Sequence, residues 1–249
     1  EQDFMSETSN FSWPNGKRSA VSITFDDARE SQVEFGLPIL DRHNVKATFY
    51  VSLQPLEQRL DAWLEALDSG HEIGNHTASH PCSGNFPFAR SNALEDFTLD
   101  RMADELDRAT AVIERLTKRT PSTFAYPCGQ TFVGRGETLQ SYIPLAADRF
   151  TVARAAYNEV PNDPGFCDLA NAAGIGADDV SFEYLKSLVD AAADSESWLI
   201  LYGHNVGEGG HQTVRADALE ALCDYLTKLY DDVWTDTVAA VGGYIQQVR

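Results

Sequence analysis

Short β-prone runs alternate with longer stretches of helical period along most of this 249-residue chain, and that alternation admits few folds. The β-prone runs are "AVSITF" (20–25), "KATFYVS" (46–52), "HEIGNH" (71–76), "STFAYP" (122–127), "FTVARA" (150–155), "WLILYGH" (198–204) and a weaker "VWTDTV" (233–238). Helical patterns fall near 31–43, 57–69, 92–118, 181–193 and 213–230. The third is the clearest, because Leu94, Phe97, Met102, Leu106, Ala109, Val112, Ile113 and Leu116 recur at three- and four-residue spacing among charges. Strands separated by helices must cross over and pair in parallel. Six or seven such units, with no Gly-x-Gly-x-x-Gly turn after the first strand, argue against a dinucleotide-binding sheet and for an α/β architecture, a (β/α) barrel or distorted (β/α) barrel, with seven strands the expectation. No linker divides the chain, so one domain over 1–249 is expected, with 1–17 as an N-terminal extension.

In such barrels chemistry sits at the carboxyl ends of the strands, so the strand ends are where to look. The first strand ends in Asp26 and Asp27. The bland reading makes them a helix cap and a solvated turn residue. Neighbouring strand residues face opposite sides, however, so one metal ligand and one base is an equally natural division. The third strand runs into "GNHTASHP", with His76 and His80 four apart, and Gly74 and Pro81 favour a tight loop over a helix. Asp27, His76 and His80 together make a candidate ligand set for zinc or another divalent first-row metal. The sixth strand ends at His204, whose imidazole titrates close to working pH and suits a general acid.

Taken in order, "TFDD" (24–27), "HTASH" (76–80), "FAYPCG" (124–129) and "LILYGH" (199–204) resemble the motifs of the polysaccharide deacetylases, carbohydrate esterase family 4. The resemblance implies a distorted (β/α) barrel and a metal on Asp27, His76 and His80. Zinc is the first expectation, with cobalt, manganese or nickel as alternatives. It further implies Asp26 as base, His204 as acid and the backbone N–H of Cys128 as an oxyanion donor. The expected activity is hydrolysis of an acetyl group from a carbohydrate, as an N-acetyl amide or an O-acetyl ester. Two alternatives stand beside it: a hydrolase of cyclic amides or imides, and a carbohydrate-binding relative without turnover.

The chain departs from the family pattern in two places. The Arg expected in the third motif to orient the base is replaced by Ala125, and Arg154 on the next strand is the residue able to supply that cation. The family's Asp and Trp motif is not recognisable; Asp163 and Asp168 lie in the right region without a following Trp. Trp198 reads as core and His71 as structural. Tyr126, and His211 in the Gly-rich "GEGGHQTV", are the candidate substrate-loop residues.

Charge narrows the partners. A formal net charge of −19 sets aside nucleic acid and anionic membrane surfaces, and no apolar run is long enough to span a bilayer. The opening "EQDFMSETSNFSWPNG" is too polar for a signal-peptide core, and a chain starting at Glu1 is compatible with a signal already removed. The expected location is extracellular or the cell envelope, and cytoplasmic under the imide alternative. Four cysteines, Cys82, Cys128, Cys167 and Cys223, leave three possible pairings if a bridge forms.

Overall fold

The computed structural model describes residues 11–249. Among these residues the barrel wall is built from β1 (Ser19–Asp26), β2 (Ala47–Val51), β3 (Glu72–Asn75), β4 (Thr123–Ala125), β5 (Val152–Arg154), β6 (Ile175–Gly176) and β7 (Trp198–Gly203). Their order is β5-β4-β3-β2-β1-β7-β6, and every pairing is parallel. The open edges approach each other: Arg154 bridges Ala172 just before β6, with Ala155 N–H donating to Ala172 O at 2.8 Å and Ala172 N–H to Ala153 O at 2.9 Å. This is the distorted (β/α) barrel the sequence leads one to expect.

The strand roster needs one correction. "VWTDTV" does form a strand, β8 (Val233–Thr235), but it pairs with the first half of β1 and branches off the ring. The seventh wall strand is instead the two-residue β6, too short to leave an alternating pattern.

The helices are α1 (Leu37–Arg42), α2 (Leu53–Gln58), α3 (Leu60–Asp68), α4 (Leu99–Thr117), α5 (Ile143–Arg149), α6 (Phe182–Asp194), α7 (Ala216–Lys228) and α8 (Val238–Val248). Thr98 starts α4 by accepting from Arg101 N–H, and Lys118 ends it at φ 60°, a left-handed stop. The pattern over 57–69 breaks at Arg59 into α2 and α3, and α5 and α8 have no counterpart in the expected set. At Gly242 of α8, a Cβ would lie 2.1 Å from Val152 Cγ2, so only glycine permits this approach to β5. From the extension, Trp13 is buried beside α8 and donates to Glu196 O at 2.8 Å; residues 1–10 lie outside the described residues.

Alternation along β1 explains how the site is delivered. Val21, Ile23 and Phe25 join the apolar layer under the helices, where Phe25 stacks on Phe49 at 5.4 Å. Ser22 and Thr24, on the opposite face, have their hydroxyls satisfied by Trp198 Nε1 and Leu201 O. Asp26 is the next residue of that interior set, so the strand's period carries a carboxylate into the barrel mouth. Trp198 is fully buried as core, and His71 sits between Ala47 N–H and the Asp41 carboxylate.

Candidate active site

Asp27, His76 and His80 converge just past the ends of β1 and β3. Asp27 Oδ1 lies 3.7 Å from His76 Nε2 and 3.5 Å from His80 Nε2, and all three donor atoms fall within 4.8 Å of one another. Neighbours fix their orientation. His76 Nδ1–H donates to Ala125 O at 2.8 Å, which leaves Nε2 with its lone pair toward Asp27. Arg29 holds the other carboxylate oxygen, Oδ2, through Nε at 3.1 Å and Nη2 at 2.9 Å. Burial and the adjacent His76 push the His80 pKa down to about 4, so its ring is neutral at ordinary pH. Burial raises the Asp27 carboxyl, but His76, His80 and Arg29 outweigh it and hold it below the usual range. A carboxylate and two imidazoles with facing donor atoms fit a divalent ion.

Asp26 is buried and ion-paired through Oδ1 with Arg154 Nη2, whose Nη1 donates to Ala155 O at 3.0 Å. The guanidinium is fully buried, 5.1 Å and 5.0 Å from the Tyr50 and Tyr202 ring centres. Burial acts to raise the Asp26 pKa, yet Arg154, His76 and His204 together bring it below the ordinary carboxylate value. Arg154, suggested by the sequence as the missing cation, therefore does stand beside Asp26.

His204 follows β7, and its partner is a residue the sequence reading missed. Nδ1 lies 2.5 Å from Asp178 Oδ2, while Asp178 Oδ1 accepts from His204 N–H at 3.0 Å. Burial depresses the imidazole, but Asp178 and Asp26 overcome it, and the net shift is upward. Asp163 and Asp168 are occupied elsewhere, accepting from Gly165 N–H and Ala170 N–H. Gln32 is a second unanticipated contributor. Its amide donates to Asp26 O at 2.6 Å and His204 O at 2.8 Å, tying the ends of β1 and β7 together.

Asp26, Asp27, His76, His80 and His204 line a cavity of about 490 Å³ together with Cys128, Tyr126 and His211. Tyr126 is buried, its hydroxyl donating to Ala170 O at 2.6 Å, and His211 lies on the Gly-rich loop. That loop is tied to the ligand cluster, since Arg29 Nη2 also donates to Gln212 Oε1 at 2.7 Å. Asp27, Thr77, His80 and Cys128 have φ of 77°, 65°, 51° and 54°, a concentration of left-handed non-glycine backbone of the kind that clusters at functional sites.

One bridge forms, joining Cys82 to Cys128 and leaving Cys167 and Cys223 as free thiols, so the His80 loop is linked to the loop after β4. With the cysteines 46 positions apart in sequence, the chain-entropy estimate puts its contribution at about 4 kcal/mol. The Cys82→Ser, Cys128→Ser double variant is expected to lose that amount in urea unfolding; a loss below about 1 kcal/mol would show that the bridge does not constrain the unfolded chain in this way.

The chain is similar to known proteins in sequence and in fold. The polysaccharide deacetylase family profile matches residues 14–140, just over half of the chain. A peptidoglycan-N-acetylglucosamine deacetylase of Bacillus cereus is 32% identical over 123 residues, 48% of this chain and 40% of the relative. The chain spans less than half the length of the curated relatives it matches. Among solved structures, a Mycobacterium smegmatis protein assigned as a polysaccharide deacetylase superposes with a TM-score of 0.71 at 18% identity, covering 95% of this chain and 93% of the other. A family 4 acetyl xylan esterase from Clostridium thermocellum, in complex with a cobalt ion, gives 0.61 at 21% identity over 93% of both chains.

Proposed function

From the chain's membership of the polysaccharide deacetylase family, we propose that it is a metal-dependent hydrolase that removes acetyl groups from a carbohydrate, with the whole chain acting as one catalytic unit. The observation that carries this reading is the convergence on one cavity of the Asp27–His76–His80 cluster and two separately held acid–base pairs, Asp26–Arg154 and His204–Asp178.

Asp26, kept ionised by Arg154, takes a proton from the attacking water. A divalent ion held by Asp27, His76 and His80, zinc first and otherwise cobalt, manganese or nickel, would lower the pKa of a water and polarise the acetyl carbonyl. The backbone N–H of Cys128 donates to the oxyanion. His204, with Nδ1–H committed to Asp178, delivers a proton from Nε2 to the leaving amine or alkoxide. The two pairs do opposite work because their partners are opposite in charge: a cation keeps Asp26 deprotonated, and an anion keeps His204 protonated.

The disulfide favours an oxidising location, extracellular or in the cell envelope, and speaks against a cytoplasmic imide hydrolase. The Bacillus cereus relative makes peptidoglycan the first polymer to try. The test is acetate release from peptidoglycan, chitin oligomers, poly-N-acetylglucosamine and acetylated xylan, with and without chelator. Release from at least one, abolished by EDTA and restored by zinc, is expected. Release that survives chelation would remove the metal from the proposal, and no release from any would remove the activity.

A further inference from the structure

The imidazole of His80 has a different neighbour at each ring nitrogen. Nε2 faces Asp27 Oδ1 at 3.5 Å, while Nδ1 lies 3.7 Å from Cys82 Sγ. Cys82 is bonded to Cys128, and one donor atom from each of His80, Cys82 and Cys128 falls within 4.8 Å of the others. Any bridge between these two loops would staple them. This one also sets a sulfur against the second nitrogen of a candidate metal ligand.

The spacing suits a metal once the sulfurs are released. Bonds of about 2.3 Å from zinc to sulfur and about 2.0 Å to nitrogen put tetrahedral ligands roughly 3.6 Å apart from N to S and roughly 3.8 Å from S to S. His80 Nδ1 and Cys82 Sγ already stand at 3.7 Å. The two sulfurs, no longer bonded, need only part to ordinary contact distance, and their Cα atoms at 6.1 Å keep both within reach of one ion. Two thiolates and an imidazole are also a softer donor set than a carboxylate and two imidazoles, which favours zinc.

His80 cannot serve both sets at once. A neutral imidazole carries one proton, so ligation through Nε2 leaves it on Nδ1 and ligation through Nδ1 leaves it on Nε2. Cutting the bridge therefore offers the ring a competing pair of partners at the expense of Asp27 and His76. A reductant enters at Cys128, which is half-buried and lines the cavity, whereas Cys82 is fully buried. The thiolate of a small dithiol attacks Cys128 Sγ, the S–S bond breaks and Cys82 leaves with the electron pair. The second thiol of the reductant then displaces Cys128 and closes the reductant's own disulfide, so two electrons enter the protein. On binding a divalent ion, both cysteine sulfurs release their protons to solvent.

We propose that Cys82, Cys128 and His80 form a second, thiolate metal site when the bridge is reduced, and that this site and the Asp27–His76–His80 set exclude each other through the shared ring. The proposal rests on the deacetylase reading only for what the exclusion does to activity. With the bridge closed, His80 is left to Asp27 and His76, the set assigned to catalysis. With it open, His80 is drawn to sulfur, and so is Cys128, whose backbone N–H is assigned to the oxyanion. The protein is then active in an oxidising compartment and silent in a reducing one.

Cobalt reports the site directly, because cobalt on thiolate gives a near-ultraviolet charge-transfer band that oxygen and nitrogen ligands do not give. The protein loaded with one equivalent of cobalt should be treated under argon with tris(2-carboxyethyl)phosphine, which becomes its oxide with oxygen from water and adds no thiol. The band should be absent before reduction, although Cys167 and Cys223 are already free thiols, and should grow in as the bridge opens. In reduced Cys82→Ser, with one sulfur of the pair left, it should weaken. Equilibrium dialysis should give one zinc per chain before and after reduction, bound about 10-fold more tightly in the reduced form. No band on reduction, or a second zinc gained on reduction, would overturn the proposal. So would loss of the native far-ultraviolet dichroism in place of the band, since only the native fold brings together cysteines 46 positions apart. Acetate release should fall about 10-fold on reduction and return on reoxidation with oxidised glutathione; undiminished release with the band present would overturn the exclusion. If band and zinc count behave as stated but the oxidised protein releases no acetate from any sugar, the thiolate site stands and the deacetylase reading falls.

Discussion

Arg154→Met is expected to reduce turnover by about 10³-fold, the central value for losing a competent general base. It should also cost about 3–5 kcal/mol of stability, because removing one partner of a buried pair strands the other charge. Asp26 is buried, and Arg154 is the chief attraction that offsets this. Without the guanidinium, burial dominates and the Asp26 pKa moves up. In the unmodified protein Asp26 is ionised from below the ordinary carboxylate range upward, so the acid limb of kcat/KM should lie there. In the variant that limb should move toward neutral pH. The pH profile and urea unfolding should be measured together, since a packing defect alone would lower stability without displacing the limb. Arg154→Lys should recover part of the acid-side activity while losing the contact with Ala155 O. Unchanged turnover in Arg154→Met would show that Asp26 needs no cation.

Arg154 was legible in the sequence for a physical reason: a guanidinium on an otherwise apolar strand, "FTVARA", must find an anion once buried, and the family's own Arg position holds Ala125. Asp26, Asp27, His76, His80 and His204 were legible because they sit where strand patterns end. Asp178 was not, since its strand, Ile175–Gly176, is two residues long and leaves no alternation from which to place a strand end. Arg29 and Gln32 were hidden differently. They look like surface residues at a helix start, and their roles depend on Gln212 and His204, more than 170 residues away. Helix α8 escaped because its two glycines weaken a helical pattern, and Gly242 is required by a tertiary approach to Val152 that no local rule anticipates. What the sequence conceals here is long-range partnership; what it displays is chemistry confined to strand ends.

Asp178→Asn is the sharper probe of the other pair. His204 must be protonated to serve as an acid, so activity should fall as pH rises through its pKa, which lies above the usual imidazole value. Burial opposes the proton, and the Asp178 carboxylate is the main attraction that restores it. Replacing that carboxylate by a neutral amide should therefore lower the His204 pKa and carry the alkaline limb to lower pH. Turnover near neutrality should drop by about 10²-fold, against about 10²–10⁴ for His204→Ala, which should lose the limb altogether. Asn can still accept from His204 N–H through its amide oxygen, so the backbone anchor survives and the melting temperature should fall little. A structural role alone predicts the reverse, lower stability with an unmoved alkaline limb. Leaving-group acidity gives an independent check. From an acetyl ester of an acidic phenol the phenolate leaves without a proton, so Asp178→Asn should impair hydrolysis of that ester far less than that of an acetamido sugar. Equal loss on both would mean that His204 acts on something other than the leaving group.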